Sequence, residues 1–374
     1  MSARHAIDAV EFNNMVTPYT RRLFDRLSAD GLGFAVVSCT RSEKRNRYWR
    51  LDGGSRFRHE VLRGYSVEVG PRRFAYLNHG IFRTLSRLRP DVLVLNGFYP
   101  SMLLGLAWAR LTRTPVALRV DGGARDMPMS AYHRLFRPLV LRHCRAVLTC
   151  GAKGAAFFRE AGVDERRIFH MPLVPAWDGP HDVPDMAARS HDLLWVAEIS
   201  DAVKNAGFFA RVATRLNQIR PGLRVRVVGT GPDQHAMIAA LSEAGIALRH
   251  DETVPWDAML SVFCDARLLL LPSRREPWGL VCNEAMQCGT PCLVSPFVGA
   301  ADDLVIDEMT GRVLPLEVER WAEAAARLLD DPVAWRQLSE AGRTAMTGRG
   351  LSASASAYRA MVAFASRAGA GGAP

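Results

Sequence analysis

The stretch RLLLLPSRREPWGLVCNEAMQCG, residues 267–289, predicts a strand, a turn and a helix in direct succession. The apolar run Arg267–Leu271 is typical of a buried strand. Pro277 and Gly279 interrupt it, and residues 280–287 then have the pattern of a helix. A helix that follows a strand and a glycine turn presents free backbone N–H groups and the positive end of its dipole. The segment therefore predicts an anion site at the edge of an α/β sheet.

Two carboxylates lie on either side of this turn. Glu276 precedes it, and Glu284 lies about one and a half turns into the predicted helix. A carboxylate only accepts hydrogen bonds, whereas the diols of a sugar or a ribose donate them. Two glutamates at this spacing are a weak signal by themselves, but their position after a strand, with Pro-x-Gly between them, makes the pattern specific. It predicts a diphosphate cradle with a hexose at one end and a ribose at the other.

The rest of the chain alternates short apolar runs with longer helical patterns, which is typical of α/β units around mainly parallel sheets. In the first half we expect strands at 32–38, 91–96, 115–120 and 146–150, and helices at 20–29, 100–111, 131–143 and 153–161. In the second half we expect strands at 193–197, 223–228, 267–271 and 291–294, and helices at 207–218, 233–244, 256–264, 279–288 and 318–329. The Arg-rich segment 41–75 is expected to form exposed hairpins or loops.

The proline-rich segment 172–184 predicts a linker between two domains. We expect an N-terminal Rossmann-like domain over 1–175 and a C-terminal one over 190–348. Residues 349–374 would then form a helix that crosses back to the first domain, followed by a tail. Ligands of such sheets bind beyond the carboxyl ends of the strands, so the functional loops are expected to face a cleft between the domains.

Composition favours a globular protein that stays in the cytoplasm. The chain of 374 residues is 48% hydrophobic and 23% charged, and its beginning does not resemble a signal peptide. The seven cysteines are scattered without a Cys-x-x-Cys pair, which argues against a disulfide framework and indicates a reducing compartment.

Charge is divided unevenly along the chain. Residues 1–175 hold 29 Lys and Arg against 14 Asp and Glu, whereas residues 176–374 hold 19 against 24. A genomic preference for arginine explains why there are only three lysines but not why one half is basic and the other acidic. The asymmetry indicates an anionic partner for the first half, such as a membrane surface or a lipid diphosphate. No nucleic-acid-binding module is recognisable, so a nucleic-acid partner is not expected.

The segment EPWGLVCNEAMQCGTPCLVSPFVGAADDLV, residues 276–305, resembles the donor-binding segment of the retaining glycosyltransferases of family 4. That family has the GT-B fold, with two Rossmann-like domains whose parallel sheets face an interdomain cleft. The resemblance implies that Glu276 contacts hydroxyl groups of the donor sugar. It also implies that the backbone of Gly279 and Leu280 binds the diphosphate and that Glu284 binds the ribose.

A second similarity to the family lies after the first strand of the C-terminal domain. The pair Lys204-Asn205 matches the family's Lys-Asn or Lys-Gly pair, and the ammonium would neutralise the departing nucleoside diphosphate. Alternatively, Lys204 is a solvated loop residue. Glu198 stands where an arginine is common in the family, and Arg274 or Arg275 is the candidate to supply the missing cation.

Two further residues complete the expected donor-binding set. Gly229 lies in a strand-to-glycine turn that lines the nucleotide side in the family, although Gly-x-Gly alone is weak evidence. Trp278 lies inside the donor turn itself.

Acceptor-side candidates lie in the first half of the chain. A loop before the first predicted helix resembles the family loop that faces the diphosphate and the acceptor, or is simply a helix entry; its candidates are Asn14, Thr17, Pro18 and Tyr19. Asp121 follows a predicted strand, and Val120 stands where relatives often have histidine. Asp121 would orient the acceptor or stabilise the developing oxocarbenium, or else only cap the segment after it.

The sequence thus predicts a retaining hexosyltransferase with a UDP- or GDP-sugar donor and no cofactor or metal. Its acceptor would be a polysaccharide or a lipid-linked oligosaccharide on polyprenyl diphosphate, with the enzyme peripheral at the inner face of the cytoplasmic membrane. Three alternatives stay open: an acceptor that is a small soluble metabolite, a nucleotide-sugar-binding protein without turnover, and a sugar-nucleotide epimerase.

Overall fold

The computed structural model of the chain describes residues 7–41, 54–70, 73–122 and 131–367. The chain forms two compact units, of which one comprises Met1–Pro172 with Leu351–Pro374 and the other comprises Leu173–Gly350. Each unit has its own parallel sheet and its own hydrophobic core. Each unit therefore has the architecture of an α/β domain.

The described residues of the first unit form nine strands: β1 (Ala9–Asn13), β2 (Phe34–Ser38), β3 (Arg58–Val61), β4 (Gly64–Gly70), β5 (Arg73–Asn78), β6 (Val92–Asn96), β7 (Val116–Val120), β8 (Ala146–Thr149) and β9 (Ile168–His170). Seven of them form a parallel sheet in the order β3-β2-β1-β6-β7-β8-β9, while β4 and β5 pair as an antiparallel hairpin. The helices are α1 (Pro18–Ala29), α2 (Ile81–Leu88), α3 (Pro100–Thr112), α4 (Ala131–His143) and α5 (Gly151–Glu160). Strands β1 and β2 are buried along their whole length, as expected for strands covered on both faces.

The second unit has a six-stranded parallel sheet. Its strands are β10 (His191–Val196), β11 (Arg224–Val228), β12 (Ala247–Asp251), β13 (Ala266–Leu271), β14 (Cys292–Val294) and β15 (Arg312–Val313), in the order β12-β11-β10-β13-β14-β15. Its helices are α6 (Asp201–Lys204), α7 (Ala206–Ile219), α8 (Gln234–Glu243), α9 (Met259–Cys264), α10 (Leu280–Gln287), α11 (Val318–Asp330) and α12 (Pro332–Ala345). The helical spacing of Phe208, Val212 and Leu216 predicts a core-facing stripe, and all three side chains are buried.

The last helix, α13 (Leu351–Arg367), belongs to the first unit although it follows the whole second unit in sequence. It packs against α1 and against the sheet at β6 to β9. Its fully buried side chains are Ser354, Ala355, Tyr358, Met361 and Ala365. The Ser354 hydroxyl also donates to the Pro172 carbonyl at 2.7 Å.

The prediction of two α/β sheets with parallel strands is confirmed, but the sequence analysis missed several elements. It did not anticipate β1, because the run Ala9–Asn13 has only five residues and a glutamate at its centre. It expected exposed hairpins or loops at 41–75, where the β4–β5 hairpin begins, but it did not anticipate β3 as a strand of the parallel sheet; residues 42–53, 71 and 72 fall outside the described part. It also overlooked α12, although Asp331 caps it and Pro332 takes the first helical position.

Candidate functional site

The turn between β13 and α10 is built on a left-handed glycine. Gly279, the N-cap of α10, has φ of 92°, and a Cβ there would lie 3.0 Å from Val298 Cγ1 and 3.2 Å from Leu271 Cδ2. Glycine meets both the backbone and the space requirement. Within the described chain no side chain caps α10, so the Leu280 and Val281 amides of its first turn are available to an anion, whereas the Cys282 amide donates to the Gly279 carbonyl at 2.9 Å.

The backbone of this turn is held by the loop after β14. Gly299 N donates to Glu276 O at 2.9 Å, and Ala300 N donates to Trp278 O at 2.8 Å. A Cβ on Gly299 would lie only 2.0 Å from the Pro277 carbonyl oxygen, so this contact also requires glycine. Gly299 was not predicted as a site residue, although it lies in the segment 276–305 that resembles the donor-binding segment of the family.

The Trp278 side chain supports the turn from inside. It is 4% exposed, and its indole N–H donates to Asn283 Oδ1 at 2.7 Å. Asn283 in turn donates from Nδ2 to the Leu173 carbonyl at 3.0 Å. The indole is thus anchored in the interior of the second unit, and a part for Trp278 in donor binding would be indirect.

Lys204 and Glu276, far apart in sequence, form an ion pair in the structure. Their side chains are 15% and 13% exposed. The amides of Arg274 and Arg275 both donate to the Val203 carbonyl, at 2.9 and 3.2 Å, which fixes the two loops side by side. The turn after β13 and the segment at α6 therefore form one local structure.

The Lys204–Glu276 pair has polar neighbours. Asn205 is buried with φ of 62°, and its Oδ1 accepts from Arg274 Nε at 3.1 Å. The Arg274 side chain is 51% exposed, and its Nη2 lies 3.7 Å from Asp201 Oδ2. Four of the predicted donor residues are thus brought together: Lys204, Asn205, Arg274 and Glu276.

Glu284 lies on the second turn of α10 and is half-buried. Burial raises the pKa of its carboxyl to about 8. No side chain of the described residues forms a hydrogen bond or an ion pair with this carboxyl group. A carboxyl group that is mostly protonated at neutral pH and has no protein partner is a strong candidate for ligand binding.

The loops after β10 and β11 meet through their backbones. Gly229 has φ of 137°, and a Cβ there would lie 2.0 Å from the Ala197 carbonyl oxygen. A Cβ on Gly231 would lie 2.1 Å from the Ile199 carbonyl oxygen. The His250 ring contacts the Gly229 carbonyl through Nε2 at 2.9 Å. Because β11, β10 and β13 are neighbours, the Gly229 turn lies at the same sheet edge as Lys204 and Glu276.

In the first unit, Asp121 follows β7 and is held by Arg119. The Arg119 guanidinium donates from Nη1 to both carboxylate oxygens of Asp121, at 2.9 and 2.8 Å. It also donates from Nε to Glu11 Oε1 at 2.8 Å. The capping role that the sequence left open for Asp121 concerns residues 123–130, which lie outside the described part.

The four candidates of the first loop lie at the carboxyl end of β1. Thr17 caps α1 in a capping box with Thr20, and Pro18 takes the first helical position. Asn14 accepts the Thr40 amide through its carbonyl, at 3.0 Å, and Tyr19 is half-buried. Thr17 and Pro18 therefore shape the helix entry, and an acceptor-binding role for the four residues stays a prediction.

Comparison with known families agrees with this arrangement in both units. The model described as "Glycosyl transferases group 1" matches residues 190–331, which hold the predicted donor residues. The model described as "Glycosyl transferase 4-like domain" matches residues 16–173. The chain is a glycosyltransferase of the GT4 type.

Relatives of this glycosyltransferase differ in what their names say they act on. The 2-deoxystreptamine glucosyltransferase of Streptomyces kanamyceticus is 28% identical over 275 residues, covering 67% of this chain and 70% of that protein. Several other curated relatives align over only about a third of their own length.

Solved structures show the fold of the glycosyltransferase. HepE from Anabaena, solved with UDP and glucose, superposes with a TM-score of 0.73 at 14% identity, covering 95% of this chain and 99% of that one. WaaG, described as a glycosyltransferase involved in lipopolysaccharide biosynthesis, gives a TM-score of 0.67 at 15% identity, with the same coverage. The predicted GT-B fold is thereby confirmed.

Proposed function

We propose that the chain transfers a hexose from a nucleotide-sugar to a hydroxyl group of an acceptor, with retention at the anomeric carbon. The observation that carries this proposal is the start of α10, an uncapped helix terminus with Glu276 before it, Glu284 within it and Lys204 paired to Glu276. The GT4 family and the UDP-bound HepE structure support a UDP-sugar as the donor, and a GDP-sugar remains the second candidate.

The donor diphosphate would lie on the first turn of α10. There the amides of Gly279 and Leu280 and the helix dipole favour negative charge. Glu284, on the next turn of the helix, would accept hydrogen bonds from the ribose diol. Because its pKa is about 8 in the free protein, a carboxylate that binds the ribose must first lose a proton at neutral pH.

In this scheme Lys204 and Glu276 act together in donor binding. Each side chain neutralises the other in their ion pair. An arriving diphosphate offers Lys204 a second anionic partner, and Glu276 can then accept hydrogen bonds from the sugar hydroxyls. The pair thus keeps both side chains in place before the donor binds.

In the transfer step the bond between the anomeric carbon and the diphosphate oxygen breaks. The acceptor oxygen forms its bond on the same face of the sugar, and its proton passes to the departing phosphate. Lys204, the α10 terminus and Arg274 would stabilise the charge that develops on the leaving group. Arg274 would replace the cation that is missing at Glu198, and Asp121 would orient the acceptor.

A surface of α3 and α4 supports an acceptor at an anionic membrane. The exposed face of α4 alternates leucines with arginines at helical spacing, and the end of α3 continues this composition. Helices α3 and α4 lie in the successive connections β6–β7 and β7–β8 of three neighbouring parallel strands, and burial together with the charges of Arg110 and Arg142 lowers the pKa of His143 at the end of α4. The exposed leucines and arginines of these two helices are called the α3–α4 surface. They are Leu104, Arg110, Leu111, Arg134, Leu135, Leu139 and Arg142.

A lipid-linked or polysaccharide acceptor suits this surface, because leucines would enter the lipid while arginines meet anionic headgroups. No helix among the described residues is long and apolar enough to cross a membrane. The enzyme would therefore bind the membrane peripherally, with its site open to cytoplasmic nucleotide-sugars.

A small soluble acceptor is the second candidate. It is favoured by the 2-deoxystreptamine glucosyltransferase, whose name denotes a small cyclitol acceptor and which aligns over 67% of this chain. Such an enzyme would have no need of the α3–α4 surface.

The first experiment is a thermal-shift and hydrolysis screen against UDP-, GDP- and ADP-sugars. We expect one donor to raise the melting temperature and to release its nucleoside diphosphate slowly, and both effects to be lost in Glu276→Ala. Failure of every donor to bind would contradict the proposal, and binding without hydrolysis or transfer to any acceptor would favour a binding protein.

The acceptor class is tested by vesicle flotation. The protein should float with vesicles that contain phosphatidylglycerol and not with neutral phosphatidylcholine, and Leu135→Glu with Leu139→Glu should abolish flotation without changing donor hydrolysis. Absence of flotation with either kind of vesicle would favour the soluble acceptor.

A further inference from the structure

A chain of buried polar side chains runs through the first unit, from its last helix to Asp121. The Tyr358 hydroxyl on α13 donates to Glu11 Oε2 at 2.6 Å, and Arg119 donates to Glu11 Oε1 at 2.8 Å. Arg119 then donates to both oxygens of Asp121. The Tyr358 and Glu11 side chains are separated by 347 positions in sequence.

Arg119 is the centre of this series of hydrogen-bonded side chains, and each of its three nitrogen atoms donates to a side-chain oxygen. Asn96, with its amide oriented to match its neighbours, accepts from Arg119 Nη2 at 2.7 Å. Burial lowers the pKa of Arg119, but the carboxylates of Asp121 and Glu11 outweigh that effect and raise it. The guanidinium is therefore always charged and held in one orientation.

The solvent exposure of these hydrogen-bonded side chains increases from Glu11 through Arg119 to Asp121. The Glu11 side chain is 0% exposed, that of Arg119 is 3% exposed, and that of Asp121 is 20% exposed. Asp121 is thus the end of the buried chain that meets solvent, at the carboxyl edge where β7 ends. Tyr358 is fixed as well, because its ring packs edge-on against Phe34 at 5.7 Å.

Stability alone does not account for such an arrangement. A buried ion pair must overcome the desolvation of both charges, and apolar side chains of similar size often serve stability as well or better. Fully connected polar networks do fix geometry. A network that ends on one solvent-accessible carboxylate has the form of a support for that carboxylate.

We propose that Tyr358, Glu11 and Arg119 are positioning residues that fix the Asp121 carboxylate for the acceptor, so that α13 takes part in the transfer step. This inference rests on the proposed glycosyl transfer. Asp121 alone would touch the substrate, and the other three residues act through it. Donor binding to the second unit would be independent of them.

The test variant is Tyr358→Phe, which removes one hydroxyl and retains the ring packing. An Arg119 variant is less informative, because it would leave the Glu11 carboxylate buried and unpaired. We expect kcat for transfer to fall about tenfold, the loss associated with one hydrogen bond, while the KM for the donor stays the same. The matched control is Ser354→Ala, which removes a hydrogen bond of the same helix outside the network.

The decisive readout is the double variant. If Tyr358 acts through Asp121, Tyr358→Phe should have no further effect on kcat in the Asp121→Asn background. Multiplicative losses, or a kcat for Tyr358→Phe equal to that of Ser354→Ala, would overturn the inference. A failure of the proposed function would show differently, because the unmodified protein would then transfer no sugar.

Discussion

The carboxyl edges of the two sheets are built in contrasting ways. In the second unit the edge is assembled from backbone: Gly229, Gly231 and Gly299 each lie against a carbonyl group where a Cβ would be only 2.0–2.1 Å away. In the first unit it is assembled from side chains, with Arg119 at the centre of a buried network. A backbone-built edge is sensitive to any added carbon atom, whereas a side-chain-built edge is sensitive to the loss of single polar atoms.

The largest effect is expected from Glu276→Ala in the backbone-built edge. Transfer should fall roughly 10³-fold, because the carboxylate would contact the donor sugar in the transition state. The melting temperature should change little, since Glu276 lies on a turn and its side chain pairs only with Lys204 among the described residues. Glu243→Ala, an exposed glutamate at the end of α8, is the control. Unchanged transfer would remove Glu276 from the site.

Gly299→Ala tests whether the backbone contact itself matters. The new Cβ would displace the Pro277 carbonyl, so we expect a loss of about 1–3 kcal/mol in the free energy of unfolding and weaker donor binding. Denaturant titration and donor titration measure the two effects. Gly350→Ala is the control, because its Cβ would meet no atom within 4 Å. Equal behaviour of the two variants would contradict a backbone-built site.

Lys204→Met should have a smaller effect. Without the ammonium, inhibition by the nucleoside diphosphate should weaken about tenfold, since one charge-assisted contact is lost. Lys153→Met, a lysine of the first unit, is the matched control. Inhibition constants that do not change would show that Lys204 pairs only with Glu276.

The smallest effect concerns the pH dependence of stability through Glu284. Its folded pKa of about 8 exceeds the usual value of 4.5, so the folded state binds more protons between these values, and stability falls as pH rises through that range. Glu284→Gln removes this dependence. We expect the variant to melt a few degrees higher than the unmodified protein at pH 8.5 and at the same temperature near pH 4.5. An equal difference at both pH values would show that the carboxyl group is not desolvated.

Much of the backbone-built edge could be predicted from the sequence. Glu276, Gly279 and Glu284 lie within nine consecutive residues, and a strand, a turn and a helix of that length bring them together by local geometry alone. Lys204 and Asn205 were identified through the family resemblance, and the structure places Lys204 against Glu276. Trp278 was included for its place inside the turn, but its side chain is buried and donates to Asn283.

The side-chain-built edge could not be predicted in the same way. Of its members only Asp121 was singled out, because Glu11 belongs to a strand that the sequence analysis missed and Arg119 is one of many arginines. Tyr358 gave no signal at all, since nothing in a helix of mixed alanines and serines indicates which distant carboxylate it will meet.

The sequence by itself determined the α/β class, the two parallel sheets and the donor turn, because these depend on periodicity and on residues that are close in the chain. Only the tertiary structure decided that Lys204 meets Glu276 and that Tyr358 of the last helix meets Glu11. Contacts of that kind arise from the packing of whole elements. Their energies depend on burial and on the partners supplied by distant segments, which no local pattern specifies.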